Sequence, residues 1–323
     1  MRVLVTGATG FVGEWLVRAL VARGHEVVAF ARASSRTEGI EALGASVRRG
    51  AFDDPGSLAR AVDGVDAVAH LAGGGIARSD EEIYVNNTGS TRALFGAARD
   101  AAVRRFVLVS SLTARDAISH YGRSKRAAER VVLEDTSGPS VMVLRPPALY
   151  GPGEHRMVPL FAAARRGVVP TVHPRGTLSM LHGADCAEAI ACALESEARG
   201  VVFVGEERVY GRREMAEIVG RAVGRRVRVV AIPPPALRVA ARASELVGRL
   251  RDRPVMFGVD KTRDVLQPHQ VGDPREAFAR LGWRPTRDFE RGAREALEDY
   301  VARGWLTDTP DRRRRPRSPT APT

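Results

Sequence analysis

Tyr121 and Lys125 stand four residues apart, ten residues beyond Ser111. On a helix, positions i and i+4 share one face, and the run Arg126-Ala-Ala-Glu-Arg-Val-Val that follows continues a helical pattern. A phenol ionises near pH ~10 and moves protons poorly at neutral pH. An ammonium group beside it favours the phenolate and lowers that value, so the pair forms an acid–base device. A serine hydroxyl within reach of the phenol holds the oxygen that exchanges the proton. The three residues spell proton transfer at a substrate oxygen, and the lysine is long enough to reach a neighbouring ribose as well.

Elements must bring these groups together. Phe106-Val-Leu-Val109 reads as a buried strand ending in Ser110-Ser111, and 119–134 reads as the helix that carries Tyr121 and Lys125. Apolar runs at 2–6, 26–30, 46–49, 65–71, 105–110 and 140–145 alternate with helical patterns at 11–23, 55–62, 88–101 and 119–134. Such alternation predicts βαβ units and an α/β fold with a doubly wound parallel sheet, its ligand outside the carboxyl ends of the strands. Beyond Pro146-Pro147 the texture changes. Helical stretches at 156–166, 184–197, 212–223, 235–250, 274–281 and 288–303, with short strands at 201–204 and 227–232, predict a smaller, partly interleaved substrate-capping lobe.

The chain opens Met-Arg-Val-Leu-Val-Thr-Gly-Ala-Thr-Gly-Phe-Val-Gly. A strand leads into Gly7, Gly10 and Gly13 and then into a helix. Glycines at this turn let the backbone approach a pyrophosphate, which meets free N–H groups and the positive end of the helix dipole. Thr9, Phe11 and Val12 complete the turn, so they join the glycines as expected dinucleotide contacts. The first gap is one residue longer than in the Gly-x-Gly-x-x-Gly fingerprint, which makes this a variant.

Taken together, Thr6-Gly-Ala-Thr-Gly-Phe-Val-Gly13, Val68-Ala-His-Leu-Ala72, Asn86-Asn-Thr-Gly-Ser90, the Ser111/Tyr121/Lys125 set, Arg145-Pro-Pro-Ala-Leu-Tyr-Gly-Pro-Gly153, Leu181-His-Gly-Ala-Asp185 and Leu281-Gly-Trp-Arg-Pro285 resemble the extended branch of the short-chain dehydrogenase/reductase superfamily. The likeness spans about residues 1–305. It implies a Rossmann domain over 1–150, a mainly substrate-binding lobe over 151–307, and catalytic roles for Ser111, Tyr121 and Lys125. It also places Ala72 and Gly73 along a nicotinamide cofactor, Pro146 near its nicotinamide, and His182 in support of the cap. Asn86 is expected to position backbone or a water relay at the site, and a homodimer through a helix pair is what the family implies.

Departures from the family pattern refine this reading. The end of the second strand, Phe30-Ala-Arg-Ala-Ser-Ser-Arg36, has no acid for ribose hydroxyls but offers Arg32 and Arg36. Guanidinium groups suit a ribose phosphate, which favours NADP(H) over NAD(H). Gly50-Ala-Phe-Asp-Asp54 lacks the usual acid at Ala51, leaving Asp53, Asp54 or stacking on Phe52 to meet the adenine. Ala148 stands where sugar-nucleotide enzymes often have Asn, and the interval from Ser111 to Tyr121 is short compared with many of them. Both point to a smaller or more apolar carbonyl substrate. Ser111-Leu-Thr-Ala114 also lacks the acidic pair of a dehydratase. His155 and Arg156 are candidates for the substrate mouth. Asp185 and Glu188 are not expected to be catalytic, and no metal site assembles.

Composition bounds the alternatives. The chain has 323 residues, 44% hydrophobic, with no run approaching a membrane span, and its first strand leaves no room for a signal peptide. Cys186 and Cys192 read as reduced packing residues, so a cytoplasmic protein without a membrane partner is expected. The net charge of +12 is spread over helices and a basic tail at 308–323, with no aromatic-basic stripe, so specific nucleic-acid binding is not expected. The leading expectation is an oxidoreductase interconverting a carbonyl and a secondary alcohol. An epimerase or dehydratase with retained NAD and a non-catalytic dinucleotide-binding protein are the rivals.

Overall fold

The computed structural model describes residues 1–251 and 258–306, the side chain of residue 249 aside; the basic tail expected at 308–323 lies outside the described residues. Six strands of the first half are β1 (Arg2–Thr6), β2 (Glu26–Ala31), β3 (Ser46–Arg49), β4 (Ala67–His70), β5 (Arg105–Val109) and β6 (Ser140–Arg145). Helices α1 (Phe11–Ala22), α2 (Glu38–Glu41), α3 (Pro55–Val62), α4 (Asp80–Tyr84), α5 (Ser90–Asp100), α6 (Thr113–Asp116) and α7 (His120–Glu134) connect them. The second half adds β7 (Ala148–Tyr150), α8 (Val158–Arg165), β8 (Val168–Thr171), β9 (Thr177–His182), α9 (Gly183–Glu195), β10 (Gly200–Phe203), β11 (Val209–Gly211), α10 (Arg212–Ala222) and β12 (Arg228–Ala231). It closes with α11 (Pro234–Leu250), α12 (Val259–Val265), β13 (His269–Gln270), α13 (Arg275–Leu281) and α14 (Phe289–Ala302).

The main sheet has seven strands in the order β3-β2-β1-β4-β5-β6-β10, all parallel. Val3, Leu4 and Val5 are wholly buried, as continuous apolar runs are when helices cover both faces of a parallel sheet. One face packs under α1 and α9 through Leu16, Val17, Leu20, Ala187 and Ile190. The other packs under α3, α5 and α7 through Leu58, Leu94, Phe95, Ala128 and Val132. Strand order reverses direction between β1 and β4, and that switch point opens a crevice at the carboxyl ends of the strands.

The second half interleaves with the first. β10 pairs with β6 at the sheet edge and α9 covers one sheet face. The remainder forms its own core around Tyr150, Phe161, Tyr210, Phe289 and Tyr300. There β9 lies between β11 and β13 and also pairs with β7, while β8 pairs with β12. Strands β7, β8, β9, β11 and β13 and helices α2, α4, α6 and α12 have no counterpart among the sequence expectations. Most are short, and their partners are distant in the chain, so local periodicity carries little of their signal.

Candidate active site

Ser111, Tyr121 and Lys125 converge at the carboxyl end of β5. Ser119 caps α7 by accepting the Gly122 N–H at 2.9 Å, which sets the first turn that carries Tyr121. Ser111 lies close enough to the Tyr121 hydroxyl to favour its ionised form. The Ser111 hydroxyl in turn accepts from the Thr113 hydroxyl at 2.9 Å and from its N–H at 3.3 Å. Lys125 is buried, and its ammonium donates to the Val109 carbonyl at 2.8 Å, pinning α7 to the strand end.

The electrostatics differ from the sequence expectation of a phenol depressed by its lysine. Burial raises the Tyr121 pKa above the ordinary phenol range; nearby Ser111 and the charge of Arg156 oppose that rise, while Asp264 adds to it. Burial also lowers Lys125 to about 8, with Glu129 opposing. Glu129, one turn beyond Lys125, is itself buried. It accepts from the Ser110 hydroxyl at 2.5 Å and from Arg145 at 2.8 and 2.5 Å, so its charge is paired beneath the site.

The glycine turn fits a dinucleotide. Gly10 begins α1 with no side-chain cap, leaving the helix N-terminus open. A Cβ at Gly13 would stand 2.1 Å from the Gly7 carbonyl oxygen, and Gly7 itself adopts φ +71 against the backbone of Ala72. Only glycine tolerates both positions. Phe11 turns its ring toward Gly153 and Gly183, so its share in an anion site rests with its backbone. Val12 packs against the sheet core, while Thr9 is exposed at the turn. The Ala72 N–H donates to Thr6 Oγ1 at 3.2 Å, and Thr6 also bonds the fully buried His70.

Asn87, rather than Asn86, organises the backbone here. Asn86 is exposed, whereas buried Asn87 accepts from Gly74 N at 3.0 Å and donates to Gly74 O and Ser124 Oγ, each at 3.0 Å. The segment 73–75 is thereby tied to α7, and a Cβ on Gly75 would meet the Tyr121 ring at 3.3 Å. Asn87 sits in a π-helical turn, Val85–Gly89; such bulges recur at functional sites. Pro146 is buried, and its carbonyl accepts from Leu112 N at 2.8 Å.

At the end of β2, Arg32 and Arg36 are exposed on a loop that Arg49 shapes from below. One Arg49 nitrogen donates to the carbonyls of Arg32, Ala33 and Ser35, each at 3.2 Å, and the other to Thr37 Oγ1 at 2.9 Å. Phe52 packs edge-on against Phe30 and His70. Asp54 is engaged as the cap of α3, and Asp53 is exposed.

The lobe contributes groups with no signature in the sequence. From α12, the Lys261 ammonium lies 5.4 Å from the centre of the Tyr121 ring. Its neighbours pack at the start of α7: Asp260 accepts from His120 N at 2.7 Å, and buried Asp264 lies beside Ser119. These residues lie some 140 positions beyond α7 in the chain, so no spacing could announce them. Arg156, a candidate for the substrate mouth, pairs with buried Glu154 at 2.8 Å. His155 stacks edge-on with Trp305 instead. His120 turns to Asp80 at 3.2 Å, His182 caps α9 through Ala184 N, Asp185 holds Arg287, and Glu188 holds Arg23.

A seven-stranded parallel sheet with an open, glycine-lined helix N-terminus at its switch point defines a dinucleotide-binding protein of Rossmann type. A family model described as the NAD dependent epimerase/dehydratase family matches residues 3–205, and the chain belongs to that family. A ceramide reductase of Caulobacter vibrioides is 33% identical over 308 residues, covering 94% of this chain and 96% of its own. Sterol demethylase protein B of Methylococcus capsulatus is 29% identical over 340 residues, covering 95% and 99%. The UDP-glucose 4-epimerase of Thermus thermophilus, solved with NAD, is similar in structure with a TM-score of 0.71 at 25% identity, covering 95% and 100%. The protein is an NAD(P)-dependent oxidoreductase of the extended short-chain dehydrogenase/reductase type.

Proposed function

We propose that the protein interconverts a carbonyl and a secondary alcohol on an apolar substrate with NADP(H), using Tyr121, Ser111 and Lys125. The observation that carries this reading is the gathering of Ser111 and Tyr121 at the carboxyl end of β5, with the 73–75 segment against the tyrosine ring. A nicotinamide dinucleotide supplies the hydride when bound, held by the glycine turn, the 72–73 backbone and Pro146, with Arg32 and Arg36 at the ribose phosphate.

In the reducing direction the Tyr121 hydroxyl gives its proton to the substrate oxygen as that oxygen gains negative charge. Ser111 donates to the same oxygen and holds it in place, its own orientation fixed by Thr113. The phenolate left behind is stabilised by Arg156 and regains its proton from solvent; oxidation runs the steps in reverse. Lys125 fixes the α7–β5 geometry and reaches the ribose. The Lys261 ammonium, which makes no hydrogen bond or ion pair among the described residues, is placed to meet a second acceptor oxygen of the substrate. The names of the ceramide and sterol relatives support an apolar substrate.

Titration of the purified protein with NADPH and NADH tests the proposal. Tighter, exchangeable binding of NADPH, lost in Arg32→Ala/Arg36→Ala, is expected. The likeness to an epimerase solved with NAD favours a second reading, transient oxidation by retained cofactor. A tightly held NAD that resists exchange would decide for it.

A further inference from the structure

We propose that α11 is a membrane-docking helix that seats the substrate lobe on an anionic lipid surface. The sequence composition argues against a membrane partner, and no helix among the described residues is long and apolar enough to cross a bilayer. Lying on one is a different matter, and the face of α11 is built for it.

Val239, Leu246 and Leu250 are 64%, 60% and 78% exposed, and Val247 is 46% exposed. These are four of the twelve large apolar side chains exposed among the described residues, gathered on one 17-residue helix. At about 100° per residue, Val239, Leu246 and Leu250 fall within roughly 40° of one another. Exposed Ala236, Ala240 and Ala243 extend the stripe toward Val247. The opposite side is the attached one: Leu237 and Ala241 are buried, and Glu245 accepts the Val259 N–H at 2.7 Å, fastening α11 to α12.

Charge selects the occupant. Arg238 and Arg242 flank the stripe on one side and Arg251 on the other; all three are exposed and make no side-chain hydrogen bond or ion pair among the described residues. Glu245 is the sole acid of the helix, and it is spent on α12. An apolar face edged by arginines inserts among acyl chains while the guanidinium groups meet anionic headgroups. A second copy is a poor occupant, because a two-fold contact through this stripe would set the arginine rows of the two copies against each other. Docking here also brings the membrane surface to the element joined to α12, whose Lys261 faces Tyr121. An apolar substrate then has a short route from bilayer to site. That last step rests on the reductase reading, whereas the docking does not.

Vesicle flotation of the full chain tests the proposal. Binding to phosphatidylcholine–phosphatidylglycerol vesicles is expected, weak on phosphatidylcholine alone and falling as salt rises. Val239→Asp/Leu246→Asp and, separately, Arg238→Gln/Arg242→Gln should each lower the partition coefficient about tenfold or more. Dinucleotide affinity and thermal unfolding serve as controls for an intact fold. Undiminished binding by the Val239→Asp/Leu246→Asp variant would assign the attraction to the basic tail, which both proteins keep, and overturn the proposal. So would absence of binding in the parent protein, or a parent dimer in sedimentation velocity that the apolar-face variant dissolves. Because vesicle binding needs no turnover, a failed reductase assay would leave this result standing.

Discussion

Tyr121 sits between opposing pulls. Burial holds its proton on, while Ser111 and the permanent charge of Arg156 ease its release. A phenol in that balance gives its proton best when an oxygen in front of it becomes basic. Tyr121→Phe is expected to lower kcat by roughly 10²–10⁴-fold while dinucleotide affinity stays unchanged, since the hydroxyl acts on the substrate oxygen alone. Undiminished turnover in steady-state assays would remove the tyrosine from the mechanism. Lys261 belongs to the same scale. Replacing its ammonium, which makes no hydrogen bond or ion pair among the described residues, in Lys261→Met should raise KM by about tenfold with a smaller change in kcat, measured beside an unchanged dinucleotide titration. A change confined to kcat would place Lys261 at the chemical step instead.

Among the elements, the π-helical turn and the start of α7 act as one unit. Asn87 joins them through its bonds to Gly74 and Ser124, and the Thr88 hydroxyl adds a bond to the Ser124 carbonyl at 3.0 Å. Gly73 leaves Asn87 its place, for a Cβ there would stand 2.3 Å from Asn87 Oδ1. Asn87→Ala strips a buried backbone segment of its partners. The expected cost is about 1–3 kcal/mol of stability, together with weaker dinucleotide binding as the 73–75 segment loosens. Urea denaturation and a binding titration measure the two effects; unchanged affinity would mean the segment does not line the cofactor. The resemblance of Asn86-Asn-Thr-Gly-Ser90 to the family's Asn-Val-x-Gly-Thr segment led to Asn86, the first of two adjacent asparagines. Which one points inward depends on the wider π turn.

For the whole molecule, the core of the lobe carries a pH-dependent burden. Glu206 is buried between two tyrosines, accepting from Tyr150 at 2.6 Å and Tyr210 at 2.5 Å. Burial raises its pKa from 4.5 to about 7, with the two hydrogen bonds opposing. Between those values the folded carboxyl keeps a proton that the unfolded chain has lost. The stabilising contribution is therefore complete below 4.5 and vanishes as pH rises through 7. Glu206→Gln removes this titration, so the parent should lose stability relative to the variant across that window, by at most about 1.4 kcal/mol per pH unit. Denaturation curves at several pH values report the difference; a constant gap would show that Glu206 does not titrate there.

The six strands and the longer helices of the first half and the glycine turn were legible in the sequence, as were the residues Ser111, Tyr121 and Lys125 that the fold gathers at the end of β5. Their signals are local: buried parallel strands read as apolar runs, and a phosphate turn demands glycine at fixed spacing. Closing the site was the work of tertiary structure. Lys261, Asp260 and Asp264 reach α7 from a helix far along the chain, and Arg49 shapes the loop of Arg32 and Arg36 from a neighbouring strand. The direction of the Tyr121 shift was likewise invisible, because burial depends on every element packed around the ring. Spacing along a chain encodes contacts within a turn or a strand, whereas desolvation and long-range pairing exist only once the chain has folded.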